Sequence, residues 1–286
     1  MNNYNIEAIC LTKYTNEVDM REWLEWHLNR CHFNHIHIMD NESNYDLKSL
    51  CEEYKDKVSY ELITDIPRQF VLYDNYINNC STADWVIPID DDEYLEFSNE
   101  FNSVNELLNY YENKFPNLQM LAVRWKHLFP KKFHSERKGT VLEYCTEQHL
   151  TIASCFHIYG DRGVKTFVKR TGKVHYQERS EQIDKGHVPL HENANGAICF
   201  DGSIITNNYF DKIPTDTTDE KLRLIHCRYK GYNDYKEKYI DNIVFKIGDK
   251  IPKPKVFIFN KLFVPCDTLY LDICLSIQLL FSFKNF

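Results

Sequence analysis

Trp85 Val86 Ile87 Pro88 Ile89 Asp90 Asp91 Asp92 Glu93 Tyr94 Leu95 is the stretch on which the reading of this chain turns. The apolar run reads as a short buried strand, and four consecutive carboxylates follow it with no spacer. Inside a polar segment such a run is a solvated face. Here the backbone holds the carboxylates at the end of a strand, where they cannot drift apart. Two carboxylates about 4 Å apart repel by roughly 4 kcal/mol at an effective dielectric of about 20, and a divalent cation among them relieves that repulsion. All-oxygen ligands favour Mg²⁺ or Mn²⁺, ions that complete their shells with water and substrate phosphates.

Upstream of this stretch, strand-like and helix-like segments alternate. Ile6 to Leu11 reads as a strand, and the helix after it places Met20, Trp23, Leu24, His27, Leu28 and Cys31 on one face. His35 to Met39 and Val58 to Ile63 read as strands, Tyr45 to Tyr54 and Arg68 to Cys80 as helices. Such β-α repetition predicts an α/β fold, a mostly parallel central sheet with helices on both faces. Ligands of such sheets bind at the carboxyl ends of the strands, where both Asp40 Asn41 Glu42 Ser43 and Asp90 to Glu93 fall. Beyond the acidic run, Val104 to Asn113 reads as helix, Met120 to Trp125, Thr166 to Arg170, Ala197 to Phe200 and Leu222 to Tyr229 as strands, and Tyr232 to Asp241 as helix.

With 286 residues the chain can bury one sizeable core plus an appendage, or at most two small domains; the expectation is a domain over 1–230 and a helical, apolar tail over 231–286. A net charge of -8 excludes a broad nucleic-acid surface. The ten cysteines contain no C-x-x-C pair, which excludes zinc ribbons and argues against a disulfide scaffold. Met1 to Ile9 lacks the basic and apolar regions of a signal peptide, so reduced thiols in a cytoplasm are expected. The first glycine is Gly139, which leaves no glycine-rich phosphate loop in the first half; a nucleotide diphosphate there needs a metal. Val256 to Phe283 is apolar but interrupted by Asp267 and Asp272, and its longest helical piece is short of the ~20 residues of a bilayer span. It is expected to pack on the parent domain or a partner subunit, with peripheral membrane contact, helped by Lys253, Lys255 and Lys261, as the alternative.

Several of these segments, in order, resemble the glycosyltransferase A-type (GT-A) fold, and within it the family-2-like and family-92-like glycosyltransferases. Ala8 to Lys13, then Asn16 Glu17 and Arg21 Glu22 Trp23 Leu24 Glu25 Trp26 His27, look like that family's opening strand and E-W-L-x-x-H helix. His35 to Ser43 resembles its second strand and D-N-x-S turn, and Asp84 to Leu95 its W-V-x-x-x-D-x-D-E-[FY]-[LI] block. His226 Cys227 Arg228 Tyr229 Lys230 with Tyr235 and Lys238 looks like its late H-Y-x-x-K element. The first turn is lengthened by Tyr14 and Thr15, Gly231 stands where a serine is common, and Lys126 to Asp201 matches poorly.

The resemblance implies transfer of a sugar from a nucleotide donor, a UDP-sugar, to a hydroxyl of a glycan or glycolipid, with inversion. It places Mn²⁺ or Mg²⁺ on Asp90, Asp92 and His226, with Asp92 as the direct ligand, Asp90 reaching the ribose or the metal through water, and Glu93 orienting neighbours. Asp91 should point away along extended chain and be structural. Thr12, Lys13 and Glu17 at one strand end and Asp40, Asn41 and Ser43 at the other offer groups for a nucleoside, with Gln69 nearby in the motif series. Lys165, Lys169, Arg170 and Lys230 are candidate phosphate donors, and Trp125 a sugar-stacking ring. Glu192, Asp201 and Asp161 are the candidate bases, with His187 and His191 bordering the acceptor. His35 and His37 are read as structural. Synthesis of a surface polysaccharide or lipopolysaccharide at the inner face of the membrane fits this picture. Two alternatives stay open: an inactive nucleotide- or sugar-binding module, and a Mg²⁺-dependent phosphatase of D-x-D type.

Overall fold

A computed structural model gives the fold and describes residues 1–13, 15–64, 68–130, 137, 139–147, 163–176, 188–205, 221–227 and 230. Two compact units divide the chain, residues 1–126 with 159–226 and residues 127–158 with 227–286. The sequence-predicted tail over 231–286 and the helix at Tyr232 to Asp241 lie outside the described residues.

The first unit opens with β1 (Ile6–Thr12), followed by α1 (Glu17–Glu25), β2 (His35–Asp40), α2 (Leu47–Glu53), β3 (Val58–Leu62), α3 (Gln69–Asn75), β4 (Trp85–Pro88), β5 (Glu93–Phe97), α4 (Val104–Lys114) and β6 (Met120–His127), whose last residue falls in the second unit. The second unit holds β7 (Phe129–Pro130), α5 (Val141–Tyr144) and β8 (Cys145–Glu147), and the chain returns to the first for β9 (Val164–Lys169), β10 (Val174–His175), β11 (Leu190–His191), β12 (Ala197–Ile198), β13 (Ile204–Ile205) and β14 (Leu222–His226). In the second unit β7 and β8 pair antiparallel, and α5 starts with a capping box between Thr140 and Glu143.

The main sheet runs β13-β12-β6-β9-β4-β1-β2-β3, with β5 and β14 attached through β14 to β6. β1, β2, β3 and β4 are all parallel, the α/β sheet expected from the alternating pattern. The chain builds outward from β1 to β3, then crosses back to place β4 on the other side of β1. Strand order therefore reverses between β1 and β4, and a crevice opens there at the carboxyl ends of the strands. Thr12 pairs with Asp40 and Asp40 with Leu62, so three strand ends finish level.

β9 breaks the parallel pattern. It runs antiparallel between β4 and β6, with Trp85 beside Lys169, Val86 beside Val168, and Val123 beside Lys165. Its first residues therefore stand at the carboxyl end of β4 and its last at the amino end.

Helix α1 has the buried face its spacing predicted: Met20, Trp23, Leu24 and His27 are wholly buried, and Leu28 and Cys31 nearly so. Asn16 caps its start by accepting from the Asp19 N–H at 3.0 Å, and Glu17 and Asp19 favour the positive end of the helix. After Glu25 the helix widens, and the Cys31 N–H bonds back to Trp26 O at 3.0 Å; α3 ends the same way, Ser81 N–H to Tyr76 O at 2.9 Å. Helix α2 starts later than its pattern suggested, because Asp46 accepts from the Ser49 N–H and competes better as a cap than Tyr45.

Candidate active site

Asp90 to Glu93 form the tight connection between β4 and β5, closed by the Glu93 N–H on Asp90 O at 3.0 Å. The extended geometry expected at Asp91 is replaced by a turn, because β5 leaves β4 to pair with β14. The turn is anchored from α1. The Trp23 indole N–H reaches Asp90 O at 3.0 Å and Glu93 O at 2.8 Å. The Trp26 indole donates to Leu95 O at 2.8 Å, and His27 Nε2 accepts the Leu95 N–H at 3.3 Å. Two rings of the helix thus take the place of a neighbouring strand along that edge of β5. Burial pushes the pKa of His27 down to about 3, so its neutral ring donates from Nδ1 to Trp23 O and accepts at Nε2.

The four carboxylates have four different surroundings. Asp91 turns inward and accepts from Thr12 Oγ1 at 2.6 Å and from Thr15 Oγ1, a structural role. Asp90, whose side chain is 28% exposed, holds Lys165 Nζ at 2.9 Å through Oδ2. Its Oδ1 accepts from Gln69 Nε2 at 3.2 Å and lies 3.4 Å from the Tyr73 hydroxyl. Glu93 is wholly buried, accepts the Asp90 N–H at 2.9 Å, and lies 3.5 Å from Lys165 Nζ. Burial, helped by Asp90 and Asp92, pushes the Glu93 carboxyl well above its ordinary range despite Lys165. For Lys165, burial opposes the charge, but Asp90 and Glu93 outweigh it and raise the pKa.

Asp92 Oδ1 faces His226 Nε2 at 3.4 Å. In the antiparallel β5–β14 register His226 stands opposite Glu93, which brings a residue from far along the chain to the acidic turn. Trp125 lies tilted against the His226 ring, centroids 4.8 Å apart. Gly163 makes room for that indole: a Cβ there would lie 1.7 Å from Trp125 Cε3. A carboxylate oxygen and an imidazole nitrogen side by side fit a divalent ion that takes its other ligands from water and phosphate. Among the described residues no group of three His, Cys, Asp or Glu side chains is gathered to hold a metal.

At the other side of the crevice, Asp40 accepts the Ser43 N–H at 2.8 Å and the Tyr60 hydroxyl at 2.9 Å. Asn41 donates to Ile63 O at 2.9 Å and accepts from Lys13 Nζ at 3.2 Å. The hydroxyls of Ser43 and Tyr45 are buried with no hydrogen-bond partner. Glu17 sits on the exposed first turn of α1 and pairs with Arg21 at 3.2 Å.

Of the other sequence candidates, Lys165 stands at the acidic turn and Glu192, Lys169, Arg170, His191 and Asp201 stand away from it. Lys165 is expected as a phosphate donor, but β9 carries it into the interior, where its ammonium is taken by Asp90 and Glu93. Glu192 lies on the β10–β11 hairpin and accepts the Lys173 N–H at 3.0 Å. Because β9 runs antiparallel to β4, that hairpin follows the amino end of β4, roughly 15 Å of strand away from the acidic turn at ~3.3 Å per residue. Lys169, Arg170 and His191 share that end: Lys169 pairs with Glu112, Arg170 donates to Ile77 O and Ala83 O, and His191 bonds Lys169 O at 2.7 Å. Asp201 closes its own turn with Ser203, whose hydroxyl holds the carboxyl below its usual range, and lies on the hairpin at the sheet edge. His35 and His37 are structural, and their carboxylate partners come from neighbouring strands, Glu7 at 2.5 Å and Glu61 at 3.2 Å. Lys230 is buried in the second unit; Asp161 and His187 lie outside the described residues.

In the sequence Trp23 and His27 belong to a buried helix face and, with Trp26, to a motif, while Tyr73 and Gly163 carry no signal. A tryptophan pair and a histidine on one helix signal indole and imidazole hydrogen bonds, but not their recipients.

No family model and no curated protein matches the chain. Among solved structures it is similar to residues 1–349 of S. aureus TarS in complex with UDP-GlcNAc, at a TM-score of 0.38 and 14% identity over 58% of this chain and 45% of that one. It is also similar to the mannosyltransferase PcManGT from Pyrobaculum calidifontis in complex with GDP-Man and Mn²⁺, at a TM-score of 0.34 and 12% identity over 44% of this chain and 36% of that one. GalNAc-T7 with UDP, GalNAc and Mn²⁺ gives a TM-score of 0.33 and 10% identity over 44% of this chain and 23% of that one. The chain therefore spans less than half the length of each of these structures.

Proposed function

We propose that the chain is a metal-dependent glycosyltransferase of GT-A type, a hexosyltransferase that moves a sugar from a UDP-sugar to a hydroxyl of a glycan or glycolipid with inversion, in the making of a surface polysaccharide or lipopolysaccharide. One observation carries this reading: Asp92 of the acidic turn and His226 at the end of β14 are both buried and face each other at 3.4 Å, where the strand order reverses between β1 and β4. Asp92 and His226 would hold Mn²⁺ or Mg²⁺, which when bound supplies Lewis-acid stabilisation to the leaving diphosphate. Lys13, Asp40, Asn41 and Ser43 border the nucleoside, and the partnerless Ser43 and Tyr45 hydroxyls offer it hydrogen bonds. Asp90, oriented by Gln69, Tyr73 and Lys165, presents a fixed acceptor to the ribose. Inversion needs a carboxylate that takes the acceptor's proton. Glu192, Asp201 and Asp161 are the candidates for it.

The test is a donor-hydrolysis and transfer screen over UDP-, GDP- and CMP-sugars with added Mn²⁺. Turnover of a UDP-sugar is expected, lost with a chelator and reduced at least 100-fold in Asp92→Ala. Full turnover in the chelated enzyme or in that variant removes the reading.

A further inference from the structure

We propose that β3 is a self-association edge, through which two copies of the chain join their sheets by pairing β3 antiparallel with itself, centred on Tyr60, as a weak two-fold dimer. This inference makes no use of the acidic turn and stands apart from the function proposed above.

β3 closes one end of the main sheet, and among the described residues its sheet neighbour is β2 alone. The Ile63 N–H bonds Asp40 O at 2.7 Å, which fixes the direction of the backbone groups along the strand. Backbone N–H and C=O groups alternate sides from residue to residue in an extended strand. Ser59, Glu61 and Ile63 therefore turn theirs to β2, and Val58, Tyr60 and Leu62 turn theirs to the outer edge. Val58 spends its N–H on Lys55 O at the end of the preceding turn. Val58 O and both backbone groups of Tyr60 and Leu62 are left facing outward. Such an edge is a template for a further strand, and single-copy proteins blunt it with a proline, a bulge or an inward charge. β3 keeps an unbroken register with β2, contains no proline, and ends in Leu62, which is 52% exposed.

The occupant follows from the strand's own symmetry. A second β3 laid antiparallel with Tyr60 opposite Tyr60 sets Leu62 opposite Val58 at both ends, so each strand is covered along its whole length. The Tyr60 N–H then meets Tyr60 O of the second copy, and the Leu62 N–H meets Val58 O. Sliding the pair by two residues either way forfeits half of these bonds within the strand, because Val58 has no N–H to offer. In the centred register exposed Leu62 covers Val58 of the second copy on one face. On the other face Glu61, held by its own His37 at 3.2 Å, falls diagonal to Lys57 of the second copy, so the paired edges carry balancing charges. The arrangement is isologous and closes at two copies. One strand pair falls below the ~1,200 Å² of standard interfaces, which makes the dimer weak and exchangeable. Tyr60 stands at the two-fold and its hydroxyl donates to Asp40 at 2.9 Å, so pairing backs the strand end that carries Asp40.

The test is sedimentation velocity on the full chain from about 1 µM to about 500 µM, with amide hydrogen exchange at both ends of that range. A concentration-dependent dimer is expected, with the Tyr60 and Leu62 amides exchanging at least threefold more slowly in the concentrated sample. Leu62→Pro removes an N–H aimed at the second copy and none aimed at β2, and should weaken dimerisation at least tenfold. Leu62→Lys changes an exposed side chain and keeps the backbone; it should weaken dimerisation as well, which keeps the test valid if the proline variant does not fold. The inference is overturned if the chain stays monomeric throughout, if it dimerises while Tyr60 and Leu62 exchange at one rate, or if folded Leu62→Lys dimerises like the unaltered chain. A monomer whose Tyr60 and Leu62 amides are slow at every concentration assigns the edge to another segment of the same chain and also overturns it. These readouts need no sugar nucleotide, so their failure is separate from failure of the glycosyltransferase reading.

Discussion

The indole N–H of Trp23 lies 2.8 Å from the carbonyl oxygen of Glu93, so a helix side chain fixes the far end of the acidic turn. The same N–H lies 3.0 Å from Asp90 O, which keeps the Glu93 N–H if the indole goes, whereas Glu93 O loses the indole donor. Trp23→Phe removes this shared hydrogen bond and some core volume, which should cost about 2–4 kcal/mol of stability. Chemical denaturation measures the loss. Sugar-nucleotide turnover should fall at least tenfold even where the variant is fully folded, since the carboxylates depend on the turn for their placement.

His27 makes stability depend on pH in a defined window. Burial holds its pKa at about 3 in the fold, while in the unfolded chain it titrates near the ordinary value of about 6.5. Between these values the unfolded chain binds more protons than the fold, so stability falls as pH falls. The contribution is complete above about pH 6.5 and is lost towards pH 3 at roughly 1.4 kcal/mol per unit. Denaturation midpoints at pH 7, 6, 5 and 4 should drop less steeply for His27→Gln than for the unaltered chain. Equal slopes would show that the ring is not held neutral.

Gly163 tests the packing around His226. An added Cβ would meet the Trp125 ring at 1.7 Å, far inside contact distance, so the indole that lies on His226 must shift. Gly163→Ala should lose about 1–3 kcal/mol and at least tenfold in turnover. Thermal melting and steady-state kinetics report the two effects separately.

Glu192 provides a contrast. Its carboxylate serves the Lys173 N–H on a hairpin at the amino end of β4. Glu192→Gln should leave turnover within twofold and shift stability by about 1 kcal/mol or less. A hundredfold loss of turnover would place the hairpin in the active site after all.

What was readable along the chain was whatever depends on near neighbours. Three- and four-residue spacing marked Met20, Trp23, Leu24, His27, Leu28 and Cys31 as one face running through α1 and the wider turn after it, and all six are buried, because helical periodicity is a local property. The apolar run before Asp90 marked a buried strand for a similar reason, and the β-α alternation of the first half marked the parallel strands β1 to β4.

The sequence by itself determined that a strand ends in crowded carboxylates and that this strand belongs to a parallel set with β1, β2 and β3. Only the tertiary structure decided where each carboxylate goes: Asp91 to Thr12 and Thr15, Asp90 to Lys165, Asp92 to His226. Those partners come from distant strands whose direction and register are set by whole-chain topology, and no local pattern encodes that β9 runs antiparallel to β4. The same reversal carries Lys165 into the interior beneath the acidic turn and places Glu192 beyond the opposite end of the sheet.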